Sequence, residues 1–208
     1  MAARVVKLIP SRSAFLLCDV QLKFRTAVHG YDAVVATGNK LLRAAKIQEV
    51  PVIVTEQNPR ALGNTDDRID LASLGPLHLA TVEKTLFSMA TPEVLSLLEK
   101  HDFKSLVLMG IESHVCVLQS TLDLLERGYD VHVLADGVSS CNKEEVPVAL
   151  ERMRQAGAQI TTSESLLFQL QGDASKPNFK AFANVIKAEK ETTTQTLQTL
   201  LPVRHAAL

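Results

Sequence analysis

Four short runs of almost continuous apolar character constrain this chain more than any other feature: Ala14–Val20 (AFLLCDV), Val52–Glu56 (VIVTE), Leu106–Ile111 (LVLMGI) and Val131–Asp136 (VHVLAD). A strand with one wet face alternates apolar and polar residues, whereas a strand covered on both faces need not. The runs therefore predict strands of a parallel sheet held between layers of helices. Helix-period segments fall between and after them, over Ala33–Glu49, Pro92–Lys100, His114–Arg127 and Lys143–Ala156, with Gly128 and Gly157 as stops for the last two. A fifth strand is expected over Gln159–Thr162 and a short sixth near Thr81–Glu83. Strands alternating with helices imply βαβ crossovers, and hence a three-layer α/β/α domain on a six-stranded parallel, doubly wound, Rossmann-like sheet.

Length and charge fit one such domain. The chain has 208 residues, with 22 Lys plus Arg against 23 Asp plus Glu for a formal charge of −1. A chain of this size buries roughly 70% of its extended surface, so its core needs neither disulfides nor a structural metal. The three cysteines, at 18, 116 and 141, form no CxxC pair, which argues for reduced thiols in an intracellular compartment. No apolar run approaches the roughly 18 residues of a membrane span, so no membrane partner is expected. Near-neutral charge and the absence of Trp count against a nucleic-acid partner. Arg4, Lys7 and Arg12 precede any acid, the bias of a mitochondrial presequence. A strand beginning near Ala14 confines such a segment to about the first dozen residues. A cytoplasmic location is expected, with the mitochondrion as the alternative.

These observations divide the chain into a lead-in (1–12), a domain (13–187) and a tail (188–208). The stretch from Gln57 to Ala80 is the one long irregular segment, and loops of that length tend to be functional. The Thr-rich tail has Leu197, Leu200 and Leu201 as its apolar content. Two readings stand: a frayed terminus, or an arm that packs those leucines on a neighbouring subunit.

In open α/β sheets ligands sit beyond the carboxyl ends of the strands. Asp19, Lys84 and Cys116 fall there. The helix containing Cys116 has an apolar stripe of Val115, Leu118, Leu122 and Leu125, and at the helical period Cys116 points about 150° from its centre. With Ser113 as N-cap, Cys116 would occupy the first turn, where unpaired backbone N–H groups and the helix dipole favour an anion. A nearby ammonium favours it further, and a thiolate is a nucleophile. Asp19 is then the candidate base and Lys84 the candidate cation. Plainer readings exist: a turn aspartate, a surface lysine, an inert buried thiol. Cys18 precedes Asp19 on a strand, so alternation turns it to the opposite face as core packing, and Cys141 reads as an incidental loop residue.

Taken in order, the motifs resemble the isochorismatase-like cysteine hydrolases, in particular the isochorismatase domain-containing branch. They are Asp19-x-Gln21-x-x-Phe24, Thr55-Glu56-Gln57-Asn58-Pro59, Glu83-Lys84-x-x-Phe87-Ser88, Gly110-Ile111-Glu112-Ser113-x-x-Cys116-Val117, Asp136-Gly137-x-Ser139-Ser140, and Arg152-Met153 through Gly157-Ala158 to Thr162-Ser163-Glu164. The resemblance covers about residues 13 to 187 and implies an Asp19-Lys84-Cys116 triad. It also implies a cis peptide at Ile111-Glu112, an oxyanion hole from the amides of Glu112 and Cys116, and a pocket shaped by Gln21, Phe24, Gln57 and Ile111. The implied reaction is hydrolysis of a small amide, carbamoyl or related substrate through a thioester-type intermediate.

Two departures narrow this. Metal-dependent nicotinamidases carry an Asp-x-His cluster where this chain has Glu56-Gln57-Asn58-Pro59, and its histidines show no ligand spacing. No metal and no cofactor is therefore expected. Isochorismatase itself lacks the cysteine that is present here at 116. The family's habit of homo-oligomerisation implies a dimer or tetramer. Alternative readings are a catalytically idle oligomeric binding or scaffold protein and, less favoured, a nuclease of the same branch.

Overall fold

The computed structural model describes residues 5–201. Parts of the expected targeting segment (1–4) and of the tail (202–208) lie outside the described residues. Six parallel strands form one sheet: β1 (Ser13–Cys18), β2 (Val52–Gln57), β3 (His78–Lys84), β4 (Ser105–Ile111), β5 (Asp130–Ser139) and β6 (Gln159–Thr161), in the order β3-β2-β1-β4-β5-β6. The helices are α1 (Tyr31–Gln48), α2 (Pro59–Leu62), α3 (Pro92–Lys100), α4 (Leu118–Glu126), α5 (Glu145–Gln155), α6 (Ser163–Gln171), α7 (Phe179–Ala188) and α8 (Lys190–Leu200). This is the α/β/α, six-stranded parallel architecture that the apolar runs predict.

Burial on both faces explains the unbroken apolar runs. In β1, Phe15 and Leu17 join the cluster under α1, α6 and α7, while Ala14, Leu16 and Cys18 join the one under α3, α4 and α5. Leu16, Ile53, Leu106 and Leu108 are each fully excluded from solvent, and burying a side chain of this kind stabilises the fold by roughly 1.5–3 kcal/mol. The strand order reverses between β1 and β4. In open parallel sheets that reversal opens a crevice above the carboxyl ends of the two strands. Among the described residues, no helix is long and apolar enough to cross a membrane.

Several boundaries differ from the sequence reading. β1 ends at Cys18, not Val20, because Asp19 turns into a left-handed conformation at φ 51°. The segment from Gln57 to Ala80 is less irregular than expected. It contains α2, a 3₁₀ stretch over Leu71–Leu77 and the start of β3 at His78. The tail neither frays nor extends as an arm over its described part: residues 190–200 are helical, with Thr193, Thr196 and Leu200 buried. Leu200 enters the chain's own core beside α1, Lys40 Nζ donates to Thr193 Oγ1 at 2.9 Å, and Arg43 pairs with Glu189.

The buried imidazole of His132 gives this sheet a pH dependence. His132 lies on β5, is 2% exposed, and its Nε2 has no hydrogen-bond partner among the described residues. Burial pushes its pKa down from the usual value, against a smaller upward pull from Asp130. The unfolded chain takes up a proton near pH 6.5 that the folded chain resists. Stability is therefore full above that pH and declines as pH falls through the window below it. The urea midpoint should drop between about pH 7.5 and about pH 5.5, and His132→Gln should drop less. Equal drops in the two proteins would refute this assignment.

Candidate active site

Asp19 follows β1 and Cys116 follows β4, the two strands that flank the reversal, while Lys84 ends the edge strand β3 and reaches Asp19 with its side chain. Asp19 follows β1 directly and is 1% exposed. Both carboxylate oxygens are held. Thr55, in register with Cys18 on the neighbouring β2, donates its hydroxyl to Oδ1 at 2.7 Å, and Lys84 Nζ donates to Oδ2 at 2.7 Å. The backbone N–H of Asp19 also donates to the Thr55 carbonyl at 3.1 Å. A carboxylate fixed at both ends has little rotational freedom left to lose when it meets a reacting group.

Lys84 closes β3, and its side chain is fully buried. Taking this ion pair out of water is costly unless every polar atom finds a partner. Lys84 Nζ meets that demand with four acceptors: Asp19 Oδ2, Gln57 Oε1 at 2.8 Å, and the carbonyls of Leu86 at 3.1 Å and Phe87 at 2.9 Å. The ammonium thus organises the loop that follows its own strand. That loop shows the side chains of Leu86 and Phe87 to solvent, 57% and 50% exposed.

Cys116 lies beyond β4, in a π-helical turn over Ser113–Val117 that precedes α4. The residue is buried, 7% exposed. Its carbonyl accepts from Ser120 Oγ at 2.6 Å, and that same oxygen accepts the Met89 N–H at 2.7 Å, tying the cysteine's turn to the loop after Lys84. The peptide between Ile111 and Glu112 is cis. The Glu112 side chain accepts the Cys141 N–H at 2.7 Å, which anchors the turn to the end of β5.

Two expectations about Cys116 need correction. The fully buried residues here are Ser113, Cys116, Val117, Ser120, Thr121 and Leu124, whereas Val115, Leu118, Leu122 and Leu125 are only half-buried, with Val115, Leu118 and Leu125 packed at the margin of the same core. Cys116 is on the buried face, not off it. A π turn advances less per residue than an α-helix, so a helical wheel carried through it assigns the wrong phase. Ser113 is also not the N-cap. Glu112 takes that position without a side-chain cap, and the buried Ser113 hydroxyl has no partner among the described residues.

The expected pocket residues separate. Gln57 is half-buried and stands against Lys84, its amide nitrogen donating to the Thr85 carbonyl at 2.9 Å. Gln21 is fully buried and clamps the loop after β2: it accepts the Gln57 N–H and donates to the carbonyls of Gln57 and Gly63. Ile111 is fully buried in the α1-side core, against which Phe24 packs partly buried. Gln21 and Ile111 therefore support the site from behind. Their short-range spacing in the motifs carries no information about which way each side chain turns.

The sequence reading missed Cys18, Thr55 and Ser120. Alternation placed Cys18 opposite Asp19, yet its Sγ lies 3.6 Å from Asp19 Oδ2 and it shares an apolar cluster with Cys116. The strand ends at Cys18 and Asp19 bends back, so the alternation rule stops one residue short. A non-glycine residue with positive φ leaves no compositional mark. Among the described residues no three His, Cys, Asp or Glu side chains gather as metal ligands.

Known proteins share this chain's sequence and fold. The isochorismatase domain model matches residues 13–165. The isochorismatase domain-containing protein 2 of Xenopus laevis is 46% identical over 184 residues, spanning 88% of this chain and 87% of that protein. A solved structure of the MAR1 ribonuclease from Caenorhabditis elegans is 39% identical with a TM-score of 0.80, over 88% of this chain and 93% of that one. The octameric YcaC hydrolase of Escherichia coli, of unknown specificity, is 21% identical with a TM-score of 0.78, over 94% of this chain and 96% of that one, and shares the fold. The domain match, the identity along most of both chains and the common six-stranded sheet lead to one assignment: the chain carries an isochorismatase-type hydrolase fold and belongs to the isochorismatase family.

Proposed function

We propose that this chain is a cysteine hydrolase of small amide or carbamoyl compounds, with Asp19, Lys84 and Cys116 as its catalytic residues. The observation that carries the reading is the buried Asp19–Lys84 pair at 2.7 Å, beyond the carboxyl end of β1, with Cys116 buried beyond the neighbouring β4 in the apolar cluster that also holds Cys18. Asp19 accepts the Cys116 proton and the sulfur attacks the carbonyl carbon. The backbone N–H groups of Glu112 and Cys116 hold the resulting oxyanion, and Asp19 returns the proton to the departing nitrogen. Water, deprotonated by Asp19, then opens the thioester and frees the thiol. Lys84 keeps Asp19 in place and balances its charge. Each proton that leaves one group arrives at another on this chain or on the products, so the cycle uses no cofactor. Gln57 and the loop bearing Leu86 and Phe87 border the substrate's approach.

A second reading, scission of RNA, is favoured by the name of the 39% identical nematode relative. The formal charge of −1 weighs against it, because affinity for nucleic acid draws on released counterions and clustered cations. A turnover panel of amides, carbamoyl compounds, nitriles and RNA decides between them. Ammonia or acid released from a small member, with RNA intact, supports the hydrolase. RNA cleaved while every small compound survives assigns the second reading, and no turnover of any kind assigns an idle binding protein.

Self-association is the second part of the proposal. Leu86 and Phe87 present adjoining apolar side chains at the rim of the site, and exposed apolar surface beside a functional opening fits contact with a second copy. Light scattering at micromolar concentration should return a dimer or a larger closed assembly. A mass of one chain would refute it.

A further inference from the structure

Cys18 has no part in the hydrolytic cycle, and its place is unusual for an inert core thiol. It is fully buried. It lies on the sheet face shared with Cys116, in the same apolar cluster, with Asp19 Oδ2 3.6 Å from its thiol, and Cys116 is near enough to raise its pKa. On β4 its register partner is Gly110, whose missing side chain lets the two backbones approach closely. The chain then leaves β4 and returns Cys116 over the end of β1. Cys116 is 7% exposed and Cys18 0%, so Cys116 is the more accessible of the two.

We propose that Cys18 is a resolving thiol that captures Cys116 as an intramolecular disulfide when a hydroperoxide oxidises it, making the site a reversible redox switch. The inference rests on the reading of Cys116 as a reactive thiol. Ionised Cys116 sulfur attacks the distal oxygen of the hydroperoxide. The O–O bond breaks, the alkoxide or hydroxide leaves and takes a proton, and Cys116 becomes a sulfenic acid, oxidised by two electrons as the peroxide is reduced. The Cys18 sulfur then attacks the Cys116 sulfur, its proton passing to the adjacent Asp19 carboxylate. Hydroxide departs from Cys116 and collects that proton as water, leaving one S–S bond. A dithiol reductant restores both thiols.

The surroundings of Cys18 suit that role. Burial, the contact with Cys116 and the Asp19 charge push its thiol up, against a smaller pull from Lys84. It therefore stays protonated, and out of competition with Cys116 for electrophiles, until Asp19 can take the proton. Sulfur of higher basicity is also the stronger nucleophile once deprotonated. Cys141 differs in place: it is exposed, beside Glu112 at the end of β5.

The test treats the full chain with hydrogen peroxide, blocks remaining thiols by alkylation after denaturation, and digests with trypsin without reductant. The expected product links peptide 13–23, containing Cys18, to peptide 105–127, containing Cys116, and dithiothreitol separates them. In Cys18→Ala or Cys18→Ser, Cys116 should proceed to the sulfinic acid, which dithiothreitol does not reverse. Sulfinic acid at Cys116 in the unmodified protein, or a link from Cys116 to peptide 128–143, would overturn the inference. Iodoacetamide labelling of the reduced, folded protein separates the two claims. Rapid alkylation of Cys116 without a disulfide defeats only the switch, whereas sluggish alkylation of Cys116 defeats the nucleophile reading and the switch together.

Discussion

Cys116→Ala is expected to fold as the unmodified chain does and to lose at least about 10³-fold in turnover of whichever small substrate the panel identifies. The substitution removes one sulfur atom from a side chain that is 7% exposed. The packing it gives up costs about 1 kcal/mol, little beside the loss of a covalent intermediate. The anchors of its turn survive, because Ser120 bonds to the backbone carbonyl of residue 116 and Glu112 bonds to the Cys141 N–H. Cys116→Ser should be almost as inactive. An alcohol is far less acidic than a thiol and its attack must open an unactivated amide, whereas water in the second step meets the more reactive thioester, so general-base help from Asp19 suffices for the water and not for a serine. Unchanged kcat/KM in Cys116→Ala, with thermal stability intact, would end the hydrolase proposal.

The second large effect falls on Gly110. Its φ of 119° is one that residues with a Cβ rarely adopt, and a Cβ built there would lie 2.1 Å from the Cys18 carbonyl oxygen. That obstruction is backbone at the centre of the sheet, with no flexible side chain able to yield. Gly110→Ala must therefore prise β1 and β4 apart where Asp19 and the Cys116 turn emerge, at a cost of at least about 3 kcal/mol. Gly157 provides the control. Its φ of 110° is nearly the same, but an added Cβ meets nothing within 4 Å. Gly157→Ala thus pays the conformational cost alone, about 1–2 kcal/mol. Urea unfolding of the two variants isolates the steric contribution. Equal losses would show that β1 and β4 can adjust around a methyl group.

The fold was legible because each of its causes leaves a trace in composition. Strands buried on both faces carry no polar residues to alternate with, and helices such as Pro92–Lys100 open on a proline after a capping threonine. What failed was phase and direction. The turn holding Cys116 is π-helical, which no apolar pattern announces, so a wheel drawn at the α-helical period turned the cysteine outward when it faces in. The alternation rule sent Cys18 away from Asp19 because it carried the strand past its end at Cys18. Asp19 and Lys84 were legible as candidates from their positions after apolar runs. Thr55, which donates to Asp19, and Ser120, which donates to the Cys116 carbonyl, were not, since a buried hydroxyl has the same letter whether it holds a neighbour in place or faces solvent.

The last two helices set the limits of what can be cut from this chain. The isochorismatase domain match ends at residue 165, yet Phe182 of α7 and Leu200 of α8 lie within the core that also covers α1. A polypeptide ended at the domain match would keep Asp19, Lys84 and Cys116 while stripping the cover from α1, leaving an apolar face and a buried Lys40 with water in place of Thr193. During synthesis the same face stays bare until α8 clears the ribosome, so the part of the molecule that carries Asp19, Lys84 and Cys116 is complete in sequence well before its opposite side can close.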